Sequence, residues 1–186
     1  MKSLFYRQLG QGPPIMILPG LLGSTDNWRS MAKHLALHHT VYLVDPRNHG
    51  QSFHSDVMTY EAMVADVYGL ITELGLTDTI LIGHSMGGKV AMQFAQTYPQ
   101  LLSKLIVIDM APRAYDMRQL AQLLRVLQQT PLQSASSRTA INQHLSQLIP
   151  DPLMRAHCMK NLRRNDDGRL IWSSNIPVLA TSIPYL

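Results

Sequence analysis

The chain has 186 residues, the size of one ordinary domain, and its 46% hydrophobic and 15% charged content excludes a disordered chain or a coiled coil. No apolar run approaches the roughly 18 residues that span a bilayer, and Met1 to Gln8 contains no apolar stretch of signal-peptide length. The net charge of +4 is uneven, with seven Lys/Arg against eight Asp/Glu in residues 1–112 and nine against four in residues 113–186.

The first 112 residues alternate short apolar runs with helix-like stretches. Phe5 to Arg7 is a candidate outer strand. Ile15 to Leu18 is fully apolar and closed by Pro19-Gly20, and Val41 to Val44 is ended by Asp45-Pro46. Thr79 to Ile82 and Leu105 to Ile108 complete the set. Continuous apolar strands separated by helices imply a parallel sheet covered on both faces. The intervening helices are expected over Asp26 to Leu37 behind Ser24-Thr25, over Thr59 to Leu74 before Gly75, and over Ser85 to Tyr98 before Pro99.

After Pro112 the character changes. Three helices are expected, over Tyr115 to Gln128, Ser134 to Leu148 and Pro152 to Arg164, separated by Thr130-Pro131 and Pro150-Asp151-Pro152. Residues 1–112 therefore read as the core and residues 113–186 as an incomplete helical lid inserted into it. The cations of this part are dispersed, only Arg163-Arg164 is contiguous, and no aromatic residues interleave with them. That reads as a solvated helical face in preference to a surface for nucleic acid, with contacts to an anionic substrate group as the alternative.

The chemistry concentrates at Gly83-His84-Ser85-Met86-Gly87, directly after one strand and directly before one helix. This is the G-x-S-x-G nucleophile elbow in the context that gives it meaning. Flanking glycines allow a sharp strand-to-helix turn, which exposes the Ser85 hydroxyl at the carboxyl edge of the sheet. An acyl-transfer nucleophile also needs oxyanion donors. The N–H of Met86, next after the serine, is one candidate, and the N–H of Leu21 in the loop Pro19 to Gly23 is the other.

Four stretches together resemble the α/β-hydrolase superfamily and, within it, the small YbfF-type serine esterases. They are Gly20-Leu21-Leu22-Gly23-Ser24, Asp45 to Ser52, Gly83 to Lys89, and Ile108-Asp109-Met110-Ala111-Pro112. The resemblance implies an α/β-hydrolase fold and hydrolysis of small-molecule carboxylic esters or thioesters through an acyl-serine. It implies Asp109, at the end of its strand, as the acid that orients the base histidine. No metal or organic cofactor is implied, and no nucleic-acid or membrane partner.

Two departures stand out. Relatives usually carry His-Gly where this chain has Pro19-Gly20. The base histidine of the fold lies on a loop after the last strand, whereas this sequence stops at Leu186 in what resembles the late lid. The expectation is a chain truncated before the last strands, inactive alone, and prone to self-association through the exposed edge of the strand at Leu105 to Ile108. The alternatives are a non-catalytic remnant acting as a binding protein, and a C–C hydrolase or lyase of the same fold.

Remaining residues take plainer readings. His34 and His38 have the i, i+4 spacing of zinc ligands but no third partner. Asp45 and Arg47 brace their loop, Asp66 is a helix-face carboxylate, and His49 and His84 position or line the site. His157 sits on a lid helix with no reason to aim inward. Met63, Met86, Met92, Met110 and Met117 are candidates for an adaptable acyl pocket. The single Cys158 has no disulfide partner, which points to a reducing cytoplasm.

Overall fold

The computed structural model describes residues 2–186. Its main sheet has five strands: β1 (Tyr6–Leu9), β2 (Pro14–Leu18), β3 (Thr40–Val44), β4 (Thr79–His84) and β5 (Leu102–Ile108). Their spatial order is β1-β3-β2-β4-β5, with β1 antiparallel to β3 and every other pairing parallel. The outer strand read at Phe5 to Arg7 is therefore present, shifted by one or two residues.

Alternation along β2 and β3 divides the core in two. Ile15, Ile17, Val41 and Leu43 face one side, where they meet Ala32 and Trp28 of α1 (Thr25–Leu35). Met16, Leu18, Tyr42 and Val44 face the other, packed with α2 (Tyr60–Glu73) and α3 (Met86–Thr97). Both faces of the strands are thus buried, which is why they read as unbroken apolar runs.

The helix boundaries follow local chemistry. At the start of α1 the Asn27 side chain accepts from the Ser24 N–H (2.9 Å), while the Asp45 carboxylate accepts from the Thr25 N–H (2.6 Å). At α2 the Thr59 hydroxyl accepts from the Ala62 N–H (3.3 Å), and Gly75 leaves the helix with φ +62°.

Beyond β5 come α4 (Arg118–Gln129), α5 (Arg138–Ser146) and α6 (Pro152–Lys160), then β6 (Leu162–Arg164), β7 (Leu170–Trp172) and α7 (Ile176–Ser182). The third expected helix is shorter than its apolar pattern implied. It stops at Lys160, and Arg163-Arg164 lie on a strand of an antiparallel hairpin with β7, not on a helix. The Asn165-Asp166-Asp167-Gly168 turn, with Gly168 at φ +78°, closes that hairpin. Several arginines of this part are structural: Arg138 donates to the carbonyls of Leu162 and Met159, and Arg155 to that of Ile149.

Leu124, Leu127, Ile141, Leu145 and Cys158 are fully buried in the same apolar cluster as the sheet's α2/α3 face. Burial pushes the Cys158 thiol up to about 11, so it packs as an inert apolar side chain. Among the described residues no helix is long and apolar enough to cross a membrane.

Candidate active site

Strand β4 delivers Ser85 to the carboxyl edge of the sheet. Ser85 has φ +51° and ψ −118° and caps α3, so the turn from strand to helix is made within one residue. Gly87 is required by packing, because a Cβ there would overlap the carbonyl oxygens of Leu18 and Pro19 at the end of β2. Met86 is the first residue of α3, where backbone N–H groups have no partner within the helix.

Across from the serine, Gly20 to Gly23 form a turn closed by the Gly23 N–H to the Gly20 carbonyl (2.9 Å), with Leu22 at φ +59°. Gly20 approaches the Ser85 and His84 side chains so closely that an added Cβ would lie 3.1 Å from each. His84 packs edge-on against Trp28, with ring centroids 6.0 Å apart.

Two side chains from α6 hold this turn. The Leu21 carbonyl accepts from His157 Nε2 (3.1 Å), and the buried Asn161 donates through Nδ2 to the Leu22 carbonyl (2.8 Å). Ser174 Oγ in turn donates to Asn161 Oδ1 (2.6 Å). His157 therefore does aim inward, contrary to expectation. His157 and Asn161, four residues apart on α6 and at its end, both reach the same turn, a contact with no signature in one-dimensional spacing.

Strand β5 ends at Ile108, and Asp109 follows with φ +53°. Because His84 and Ile108 are partners in the parallel ladder, Ser85 and Asp109 emerge side by side, and the Ser85 N–H donates to the Ile108 carbonyl (3.0 Å). Asp109 is exposed. The Ser85 hydroxyl and the Asp109 carboxylate carry no hydrogen bond to another described residue, and the histidine ring bonds go to the backbone carbonyls of Ser30, Arg47, Ser173 and Leu21.

Ser85, Met86 and Leu21 open together onto a cavity of about 570 Å³ between the sheet edge and α4. Asp109 does not line it, although its neighbour Met110 does. Of the methionines read as pocket formers, Met86, Met110 and Met117 line the cavity, joined by Met154. Met63 is buried in the core, and Met92 is not on the cavity wall. Lys89, Tyr60 and Tyr115 also stand on the wall, and the sequence reading passed over all three.

The loop after β3 is braced as expected, by stronger contacts than expected. Asp45 accepts from the Thr25 and Gln51 N–H groups (2.6 and 2.8 Å), and burial pushes its carboxyl up against the pull of those donors. Arg47 forms two bonds to Asp66 (2.6 and 2.7 Å), both side chains being 11% exposed. Asp66 is thus a carboxylate on a face of α2, as read, and is half of a part-buried ion pair. His49 is wholly buried. Its Nδ1 donates to the Arg47 carbonyl (2.9 Å), its Nε2 has no partner, and desolvation lowers its pKa to about 4.

Among the described residues, no group of three or more His, Cys, Asp or Glu could hold a metal ion, so His34 and His38 stay without a third ligand. His34 Nδ1 bonds to the Ser30 carbonyl within its own helix (3.0 Å).

Residues 13–148 match the family described as alpha/beta hydrolase fold. The chain belongs to that family. It is 34% identical over 182 residues to the sn-1-specific diacylglycerol lipase ABHD11 of Xenopus laevis, a match covering 94% of this chain and 58% of the lipase. It is 31% identical over 173 residues to esterase YbfF of Escherichia coli, covering 93% of this chain and 66% of the esterase. The chain thus spans under two thirds of the length of these curated relatives. A solved marine microorganism esterase superposes with a TM-score of 0.96 at 39% identity, over 98% of this chain and 72% of that one. An α/β-hydrolase fold places its ligands at the carboxyl edge of the sheet, the edge at which Ser85 and the cavity lie here.

Proposed function

We propose that this α/β-hydrolase cleaves small-molecule carboxylic esters or thioesters through an acyl-Ser85 intermediate. The observation that carries the reading is Ser85 itself, held at φ +51° between β4 and α3 and facing the 570 Å³ cavity beside Leu21 and Met86. In the proposed reaction Ser85 Oγ attacks the carbonyl carbon and passes its proton to a histidine base. The carbonyl oxygen becomes an oxyanion held by the N–H groups of Met86 and Leu21. The tetrahedral adduct collapses as the alcohol or thiol leaves with that proton, and water then releases the acid by the same steps.

Asp109 is assigned to orient the base, in keeping with its place beside Ser85 at the strand ends. No described histidine is hydrogen-bonded to Ser85, so residues 1–186 are assigned the nucleophile, acid and oxyanion donors without the base. Residues 113–186 act as the lid, since α4 and the segment around Ile149 wall the cavity opposite the serine. The unpaired, buried Cys158 supports a reducing cytoplasm as the compartment.

The test is labelling with an alkyl fluorophosphonate, in which Ser85 Oγ displaces fluoride from phosphorus, followed by peptide mass spectrometry. Because residues 1–186 are assigned no base, imidazole is supplied in solution in its place; the adduct is then expected on Ser85 and absent from Ser85→Ala. Turnover of 4-nitrophenyl butyrate by the 186-residue chain is expected about 10⁶-fold below a complete triad enzyme. Labelling that is unchanged in Ser85→Ala overturns the nucleophile. Ser85-dependent turnover at ordinary enzyme rates assigns the base to a histidine within this chain.

A further inference from the structure

The turn that faces Ser85 is held in a form its own residues do not favour. The Gly23 N–H closes it on the Gly20 carbonyl (2.9 Å), and of its two central residues Leu22 is left-handed at φ +59° while Leu21 is not. That combination is a type II turn. Type II turns call for glycine at the third position, where a side chain meets the backbone, and here that position is a leucine. A type I turn joins the same ends with Leu22 at negative φ, and differs by a flip of the peptide between Leu21 and Leu22. Such a flip rotates the peptide between two fixed Cα atoms and leaves both side chains in place. Burial of the Leu22 side chain therefore does not oppose it.

The opposition comes from α6. His157 Nε2 donates to the Leu21 carbonyl (3.1 Å), which belongs to the peptide that would flip. In the type I form that carbonyl points to the other side and the bond is lost. Four residues on, Asn161 Nδ2 donates to the next carbonyl, that of Leu22 (2.8 Å), and Ser174 Oγ fixes Asn161 in turn (2.6 Å). Pro19, just before the turn, has neither an N–H nor a polar side chain with which to brace it.

We infer that His157 is a positioning residue for the oxyanion site: its bond to the Leu21 carbonyl clamps the turn in its type II form and so sets the Leu21 N–H beside Ser85. The inference rests on the acyl-Ser85 reading, which makes that N–H a donor to the substrate. A flip reverses the peptide dipole next to the donor, on a turn whose Gly20 lies directly against the Ser85 side chain. Oxyanion donors act by being fixed in advance of the reaction, so a turn free to flip stabilises the oxyanion less.

One readout tests the turn and another the serine. In a type II turn the Leu21 Hα lies against the Leu22 N–H, whereas in type I the Leu21 and Leu22 N–H groups approach each other. Nuclear Overhauser effects separate the two. The native chain is expected to show the first contact. His157→Leu and His157→Phe fill the space without a donor and are expected to show the second. His157→Gln, whose amide can donate in the same direction, is expected to keep the first. Fluorophosphonate labelling of Ser85, with imidazole supplied, is then resolved into a half-saturating concentration and a rate at saturation. Both donorless variants are expected to lower the rate about tenfold, less than the 10²- to 10³-fold cost of deleting an oxyanion donor outright. The half-saturating concentration is expected to stay in place, and His157→Gln to restore the rate. A type II contact that survives in both donorless variants overturns the inference, as does a labelling rate that they leave unchanged or that His157→Gln does not restore. If Ser85 labels but the turn ignores His157, the clamp falls and the serine reading stands. If the turn flips but Ser85 does not label in the native chain, the serine reading falls and takes the catalytic role of the clamp with it.

Discussion

Ser85 and Asp109 leave neighbouring parallel strands at the same level and both take left-handed backbone, φ +51° and φ +53°. Neither residue type adopts that conformation without a penalty, and each non-glycine residue held there stores about 1 to 3 kcal/mol. Two strained residues side by side at one strand edge are the mark of a site whose geometry is fixed by the surrounding fold. α3 packs onto β4 and β2, and Gly87 allows it to come close enough to hold the serine in place.

That strain has a measurable consequence. Replacing Ser85 with Gly removes the proposed nucleophile and also the steric penalty, partly offset by the greater freedom of glycine in the unfolded chain. Ser85→Gly is expected to be more stable than the native chain by about 1 kcal/mol, raising Tm by about 2 to 4 °C. Scanning calorimetry measures it. A lower Tm for Ser85→Gly would mean that Ser85 is not strained.

The hydrogen bonds from α6 to the Leu21-Leu22 turn couple the proposed lid to the proposed oxyanion loop. Asn161→Ala leaves the buried Leu22 carbonyl and the Ser174 hydroxyl without their partner. The expected loss is about 2 to 3 kcal/mol, read from urea unfolding. Amide resonances of Leu21, Leu22 and Gly23 are expected to move in Asn161→Ala and in His157→Leu, while those of α1 stay in place. Unmoved resonances at Leu21 would show that the turn is held by the core alone.

Much of this was legible in the residues. Ile15 to Leu18, Val41 to Val44 and the run from Thr79 are apolar on both faces, and such runs have few alternatives to a buried parallel strand. The elbow was legible because two glycines and a serine sit at a strand–helix junction, a local signal. The lid was harder. Leu162 to Arg164 pairs with Leu170 to Trp172 through backbone bonds that either sequence could make as helix, and only the Asn165–Gly168 turn distinguishes them. His157 against Leu21 and Asp66 against Arg47 are contacts across 136 and 19 residues. Partners of that kind are chosen by tertiary packing, and no periodicity announces them.

His49 gives a pH dependence whose sign can be fixed in advance. Its folded-state pKa of about 4 lies below the ordinary value of 6.5, because burial disfavours the charged ring. Between those values the unfolded chain binds a proton that the folded chain does not, so stability falls as pH is lowered from about 6.5 to about 4. The His49 contribution to that fall is on the order of 3 kcal/mol. His49→Gln is expected to flatten the slope of unfolding free energy over this interval, measured by urea titration at half-unit steps of pH. An identical slope in the variant would assign the acid sensitivity to other groups.

The last expectation concerns β5, which ends the sheet at the side away from β4. Leu105, Ile106 and Ile108 are 39%, 42% and 37% exposed, although the strand sits at the edge of an apolar core. Most edge strands avoid this combination by carrying charge, proline or a bulge, because unpaired backbone groups beside exposed branched side chains recruit another strand. Lys104 and Ser103 provide some of that protection, but the four residues from Leu105 to Ile108 form an uninterrupted apolar run. We expect the 186-residue chain to self-associate through β5 at micromolar concentration, with a second copy pairing along the same edge. Ile106→Lys places a charge in the middle of the run and is expected to shift the population toward monomer, because pairing two copies would then bring like charges together. Sedimentation velocity across a concentration series reads the outcome. A native chain that stays monomeric throughout, or an association that Ile106→Lys leaves unchanged, would exclude this edge as the interface.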